Sequence, residues 1–268
     1  MALLEVREIR RSFGGLVAVN RVSFAVAPGQ IKAIIGPNGA GKTTLFNIIS
    51  GLLKADGGQI RFKDRLITGF KPHQIARAGV ARTFQNPSLF YRMCVLENVM
   101  AGRHCRSRRG FVGCGLRLPG QPMEERLIRE TARAQLDFLG LASLAATPAG
   151  GLSFGQRRMV ELARALATEP ELLLLDEPAS GLNTKEKESL GEQIRRIRDR
   201  GVSVLLVEHD MTMVMDLSDD ILVLHNGEVI AEGPPAAIQN NPEVVNIYLG
   251  GDFRPVEQVE LARLTGRI

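Results

Sequence analysis

Little in this chain points out of the cell or into a bilayer. It has only three cysteines in 268 residues, Cys94, Cys105 and Cys114, an odd count with no close pair at metal-ligand spacing. Reduced thiols in a cytoplasmic protein account for them. No uninterrupted apolar run approaches the roughly 18 residues that a membrane-crossing helix needs. The opening Met1-Ala2-Leu3-Leu4-Glu5-Val6-Arg7 lacks the basic start, long apolar core and small-residue cleavage site of a signal peptide. The expectation is a soluble, non-exported chain. Internal repeats and low-complexity segments are also missing.

Hydrophobic residues make up 44 % and charged residues 24 %, ordinary values for a globular protein with a real core. The net charge of +5 would suit nucleic acid or anionic lipid, but it is small and spread out. Arg103–Pro122 holds Arg103, Arg106, Arg108, Arg109 and Arg117 and no acid. It reads as a mobile surface loop whose charge either solvation or binding explains.

The pattern divides the chain into thirds. Val22–Val26 and Gln30–Ile35 read as strands around an Ala27-Pro28-Gly29 turn, and Ile60–Phe62 and Leu66–Ile67 as a hairpin. Lys42–Leu53 sets Leu45, Ile48, Ile49 and Leu52 on one helical face. A helical lobe is expected from Asn86 to Ala167, with one helix over Glu124–Gly140. In the last third, Leu172–Leu175 and Val202–Val207 are continuous apolar runs, as in parallel strands covered on both faces. Asn226-Gly227 marks a two-residue hairpin, and Pro255–Leu264 reads as a short helix.

Gly36-Pro37-Asn38-Gly39-Ala40-Gly41-Lys42-Thr43 fits G-x-x-x-x-G-K-[ST] between a predicted strand and a predicted helix. Glycines let backbone N–H groups curl around phosphate oxygens, and the helix N-terminus adds partial positive charge. Lys42 is expected at the β- and γ-phosphates of ATP and the Thr43 hydroxyl at Mg²⁺, with Thr44 among the nucleotide-binding residues. Leu172-Leu173-Leu174-Leu175-Asp176-Glu177 ends an apolar strand in two acids, and ligands of open parallel sheets bind beyond such strand ends. Asp176 is expected to hold Mg²⁺ through water and Glu177 to polarise the attacking water. His209 follows a second apolar strand, from where it could meet the γ-phosphate and the attacking water; judged alone, a histidine there is more often structural.

With Leu152-Ser153-Phe154-Gly155-Gln156 ahead of a helix and shortly before the Asp176–Glu177 strand, the chain resembles the ABC transporter ATPase family over nearly its whole length. That resemblance implies an α/β fold: a P-loop NTPase core with a mainly parallel sheet, an N-terminal antiparallel β-subdomain and a helical subdomain. The implied division is 1–85 with 168–250 as catalytic core, 86–167 as helical subdomain and 251–268 as C-terminal extension. It also implies that Ser153, Gly155 and Gln156 meet the γ-phosphate of nucleotide on an opposite subunit in a head-to-tail dimer. Gln85 becomes the glutamine that joins core to helical lobe and senses Mg²⁺ and water, and Phe13 the ring stacked on adenine, with core packing as its bland alternative. Ser180-Gly181-Leu182-Asn183 becomes an interface loop, and His209 the histidine of the hydrolytic site.

Phe154 stands where the family has glycine more often, and Asn183 where many members have aspartate. Both resemble the ATPases of branched-chain amino-acid importers, as do Ala81-Arg82-Thr83-Phe84-Gln85-Asn86, Glu208-His209-Asp210-Met211 and Asn240-Asn241-Pro242-Glu243. The resemblance implies an ATPase working at the cytoplasmic face of the inner membrane. Its partners would be a second ATPase subunit, integral membrane permeases and, indirectly, a periplasmic solute-binding protein, with no nucleic acid. Leu89, Phe90 and Met93 fit either a permease contact or the lobe core. Other readings are a urea or amide importer, a non-transport ABC ATPase acting on nucleic acid or ribosome, and a subunit that binds ATP without cleaving it.

Overall fold

Alternation of apolar and polar residues makes the first two strands, β1 (Leu4–Phe13) and β2 (Leu16–Val26), and two breaks in that alternation bend them. Val6 and Ile9 are both buried although three apart, as are Val19 and Val22. Glu8 and Arg21 have φ of 49° and 50° between them, and the β1–β2 register shifts there. Each extra residue is a bulge that returns the next apolar side chain to the core face. A computed structural model describes residues 2–84, 88–103 and 121–248 of the chain, without the side chains of 121 and 122.

After β3 (Ile31–Ile35) come α1 (Lys42–Ile49), β4 (Gly57–Phe62), β5 (Arg65–Leu66), α2 (Pro72–Ala78) and β6 (Val80–Arg82). The middle of the chain is helical: α3 (Val95–Gly102), α4 (Gln121–Phe138) and α5 (Phe154–Leu166). The α/β order resumes with β7 (Leu172–Asp176), α6 (Thr184–Asp199), β8 (Ser203–Val207), α7 (Met211–Leu217), β9 (Asp220–His225), β10 (Glu228–Gly233), α8 (Pro235–Gln239) and α9 (Pro242–Tyr248). A four-stranded antiparallel sheet has the order β2-β1-β4-β5, and a six-stranded sheet the order β10-β9-β3-β8-β7-β6, parallel except for β10.

Every residue of β3, β7 and β8 is buried, because helices or the second sheet cover both faces. Successive side chains serve opposite cores. Leu172, Leu174, Leu205 and Val207 pack with Leu45, Phe46 and Ile49 of α1 and with the antiparallel sheet. Leu173, Leu175, Val204 and Leu206 join Ile194 and Ile197 of α6 and, in the same cluster, Val99, Leu136 and Val160 of α3, α4 and α5.

The structure corrects several expected boundaries. The helix from Lys42 ends at Ile49, since Gly51 has φ of 75° and a Cβ there would lie 2.3 Å from the Phe70 carbonyl oxygen. Leu52 is therefore exposed rather than on the buried face. The helix expected over Glu124–Gly140 runs Gln121–Phe138, ending before a left-handed Gly140. Both predicted hairpins form, with left-handed pairs at Lys63-Asp64 and Asn226-Gly227. Most of the Arg-rich stretch and the Pro255–Leu264 helix lie outside the described residues.

Helices α3 and α5 cross closely at Gly102, where a Cβ would fall 2.1 Å from the Arg164 carbonyl oxygen. Gly102→Ala is expected to push them apart and cost about 3 kcal/mol, read as a lower urea midpoint. A midpoint equal to the native one would contradict this packing.

Candidate functional site

Strand β3 feeds a loop whose backbone only glycine tolerates. Gly39 and Gly41 have φ of 84° and 99°, and a Cβ on Gly41 would lie 2.3 Å from the Ala18 carbonyl oxygen of β2. The loop is braced from outside where Gly227 N–H donates to the Ala40 carbonyl at 3.1 Å. Helix α1 then starts at Lys42, so its free N–H groups face the concave side of residues 36–41. Lys42 is buried, and its Nζ donates to the carbonyls of Gly36 at 2.6 Å and Pro37 at 3.0 Å. Burial pushes its ammonium pKa down, opposed by the carboxylates of Glu177 and Asp176. Thr43 is exposed at the first turn and Thr44 half-buried. Asn38 and Gly39 are exposed and Pro37 half-buried, whereas Gly36 and Ala40 are buried.

Asp176 closes β7 and is buried, with Oδ2 2.7 Å from Arg82 Nη2. Glu177 follows at φ of 46°, a left-handed position for a residue with a Cβ. Its N–H is tied to the Val207 carbonyl at 2.9 Å, so the end of β8 holds the turn out of β7. Glu208 completes the brace from a buried position, accepting from Ala179 N–H at 2.7 Å and from His209 N–H at 3.1 Å. Burial pushes the Glu208 pKa up, against those backbone donors. The His209 side chain is 63 % exposed, with Nδ1 3.8 Å from Glu177 Oε2. Asp210 caps α7 through Met213 N–H and pairs with Lys187 at 2.6 Å.

The structure thus brings Lys42, Asp176, Glu177 and His209 to one edge of the sheet. Ser153, Gly155 and Gln156 have other neighbours. Ser153 caps α5, accepting from Gln156 N–H at 3.2 Å, while Gln156 Oε1 accepts from Ser153 N–H at 2.9 Å. A Cβ on Gly155 would strike Glu186 Oε1 at 2.4 Å, and one on Gly181 would meet the Phe154 ring at 3.0 Å. The turn opening α5 therefore rests on the Ser180–Asn183 loop. Asn183 is the N-cap of α6, accepting from Glu186 N–H at 3.0 Å. The Phe13 ring is exposed at the end of β1 with the Arg11 guanidinium 4.9 Å away, so core packing does not describe it. Gln85 lies outside the described residues.

Sequence reasoning missed three features. One is Arg82, the buried partner of Asp176. Another is the face of α5 carrying Arg158, Glu161 and Arg164. Glu161 accepts from Phe84 N–H at 2.9 Å, Arg158 donates to the Phe84 carbonyl at 2.7 Å, and Arg164 donates to the Ser88 carbonyl at 2.6 Å. Burial pushes the Glu161 carboxyl up, partly offset by the Phe84 N–H and the two arginines. The signal was present: charges three apart among Val160, Leu162, Ala163 and Ala165 on a helix that must bury that face. The third is Tyr248 on α9, whose hydroxyl meets the Gly36 backbone and whose pKa burial pushes up to about 12.

Comparison with known proteins adds independent findings. A family model described as ABC transporter matches residues 19–180, and one described as Branched-chain amino acid ATP-binding cassette transporter matches residues 228–254. The chain is 43 % identical over 249 residues to the high-affinity branched-chain amino acid transport ATP-binding protein BraF of Pseudomonas aeruginosa. The match covers 92 % of this chain and 98 % of that protein, and the same figures hold for LivG of Escherichia coli. A probable branched-chain amino acid transport ATP-binding protein of Archaeoglobus fulgidus is 40 % identical, over 96 % of this chain and 99 % of that one. Among solved structures, a nucleotide-free ATP-binding cassette from an ABC transporter superposes with a TM-score of 0.82 at 35 % identity. It covers 94 % of this chain and 100 % of its own. An ATP-binding cassette in its ADP conformation superposes equally well at 36 % identity, with the same coverage.

The buried Arg158–Glu161 pair offers a test of the described geometry. Arg158→Met strands a buried carboxylate and is expected to cost about 3 kcal/mol, with part of the loss recovered in the Arg158→Met/Glu161→Met double variant. Additive losses in a urea double-mutant cycle would mean the two side chains do not interact.

Proposed function

The chain belongs to the ABC transporter family of ATP-binding subunits, and from that premise we propose that it powers uptake of branched-chain amino acids through a membrane permease. The observation that carries the ATPase chemistry is the meeting of Lys42 with the Asp176, Glu177 and His209 strand ends. The solute is supported by the names of its relatives, which are branched-chain amino acid transport proteins along nearly their whole length.

In this reading the N–H groups of residues 36–41 and the start of α1 cradle the β- and γ-phosphates of ATP, and Lys42 turns its ammonium from the loop carbonyls to them. Glu177 orients the attacking water, and His209 holds Glu177 and the γ-phosphate in line. Phe13 offers its exposed ring to adenine. Among the described residues no group of three histidine, cysteine or acidic side chains could cage an ion. The donors present suit a hard cation bound largely by phosphate oxygens and water, with Thr43, Asp176 and Gln85 as the protein's share. Mg²⁺ bound there supplies charge neutralisation on the phosphates. Ser153, Gly155 and Gln156 serve the nucleotide of a second ATPase subunit, as the family resemblance implies; in their own chain Ser153 and Gln156 bond each other and Gly155 lies against Glu186.

No described helix is long and apolar enough to cross a membrane, so membrane attachment falls to partners. A groove of about 510 Å³ between α2, β6, α3 and α5 is lined mostly by apolar atoms, including Leu52, Ile75, Phe84 and Phe90. It is the proposed seat of a permease segment. Phe90 and Met93 are exposed beside it, whereas Leu89 is buried and belongs to the lobe core. The expected division at 85/86 and 167/168 makes this groove the junction between catalytic core and helical subdomain.

Two variants test the chemistry. Lys42→Ala is expected to weaken ATP binding by roughly thirtyfold or more, and equal affinity in equilibrium titration would remove Lys42 from the phosphate site. Glu177→Gln should bind ATP normally and accumulate as an ATP-stabilised dimer while turnover falls about 10²–10⁴-fold. Near-native turnover would take the general-base role from Glu177.

A further inference from the structure

Arg82 closes β6 with its guanidinium shared between the end of α1 and β7. Its Nη1 donates to Asn47 Oδ1 at 2.8 Å and to the Ser50 hydroxyl at 2.7 Å, both at the far end of the helix that opens with Lys42. Its Nη2 donates to Asp176 Oδ2 at 2.7 Å, in a pair whose side chains are each 8 % exposed. The Phe46 and Phe84 rings lie 5.7 Å and 5.3 Å from the guanidinium carbon. Water is thus kept from a full positive charge fixed on a carboxylate, and screening there is weak.

We propose that Arg82 is a positioning residue that sets the charge and orientation of the Asp176 carboxylate toward Mg²⁺. The inference rests on the reading of Asp176 as a metal-holding residue. The guanidinium takes Oδ2 and leaves Oδ1 outside the pair, and its anchors on α1 keep the carboxylate in one rotamer. A cation already held against a carboxylate lowers its affinity for a second one by Coulomb repulsion between the two positive charges. Arg82 therefore weakens Mg²⁺ binding at Asp176, so that the ion is held chiefly through nucleotide phosphates and leaves with the products.

The test uses the full chain saturated with a non-hydrolysable ATP analogue, with Mn²⁺ as the probe and its free concentration read by electron paramagnetic resonance. Arg82→Gln and Arg82→Met both remove the charge in side chains of different shape, and either suffices once its melting curve shows a folded chain. Each is expected to bind Mn²⁺ about tenfold more tightly, while Arg82→Lys, which keeps the charge, stays within about twofold of the native value. Unchanged or weaker binding in the uncharged variants overturns the proposal. Asp176→Asn separates the two readings. If it leaves Mn²⁺ affinity unchanged, the metal role of Asp176 fails and the proposal with it. If it weakens binding while the Arg82 variants do not tighten it, only the inference about Arg82 fails.

Discussion

Strands β3, β8 and β7 run parallel and in register, buried along their whole length, and the position of every reactive group follows from that pairing. Parallel strands bring their carboxyl ends to one edge, where loops are free to carry chemistry. With β8 in the middle, the loop holding Lys42 and the turn holding Glu177 flank the segment holding His209. The left-handed Glu177 backbone costs on the order of 1–3 kcal/mol. It is held by the Val207 carbonyl and by Glu208 under Ala179, so the exit of one strand stabilises the strained exit of its neighbour.

A second dependence runs through α5. Its first turn, at Ser153, leans on Gly181 and Glu186 through Phe154 and Gly155. Its buried charged face grips the backbone at Phe84 and Ser88, on either side of residues 85–87. One rigid helix thus connects the turn assigned to a partner's nucleotide with the segment beside the groove assigned to the permease. Phe154 and Asn183, the two residues expected to depart from the family pattern, each have a local contact here. Phe154 covers Gly181, and the Asn183 side chain caps α6 as an aspartate would.

How much of this was legible before the structure depended on whether a feature is local. The loop at 36–43, the apolar strands ending in Asp176 and His209, and the turns at Lys63-Asp64 and Asn226-Gly227 declare themselves within a few residues, because backbone chemistry sets them. The early end of α1 was missed because Gly51 sits in a left-handed turn under the backbone of Phe70, some twenty residues on. Arg82 escaped notice for the same reason. Its partners Asn47, Ser50 and Asp176 lie far from it in sequence, and nothing in Ala81-Arg82-Thr83 says that a positive charge is buried. Leu52 and Leu89 show the same limit on individual positions, since periodicity assigns a face to a helix but not its neighbours.

ATP hydrolysis at the Glu177 site is expected to drive branched-chain amino-acid uptake. The most direct measurement is uptake of labelled leucine by cells lacking this chain, complemented with the native protein or with Glu177→Gln at equal expression. Uptake is expected to fall in the deletion strain and to return with the native protein alone. Undiminished uptake without the chain, or full rescue by Glu177→Gln, would contradict it.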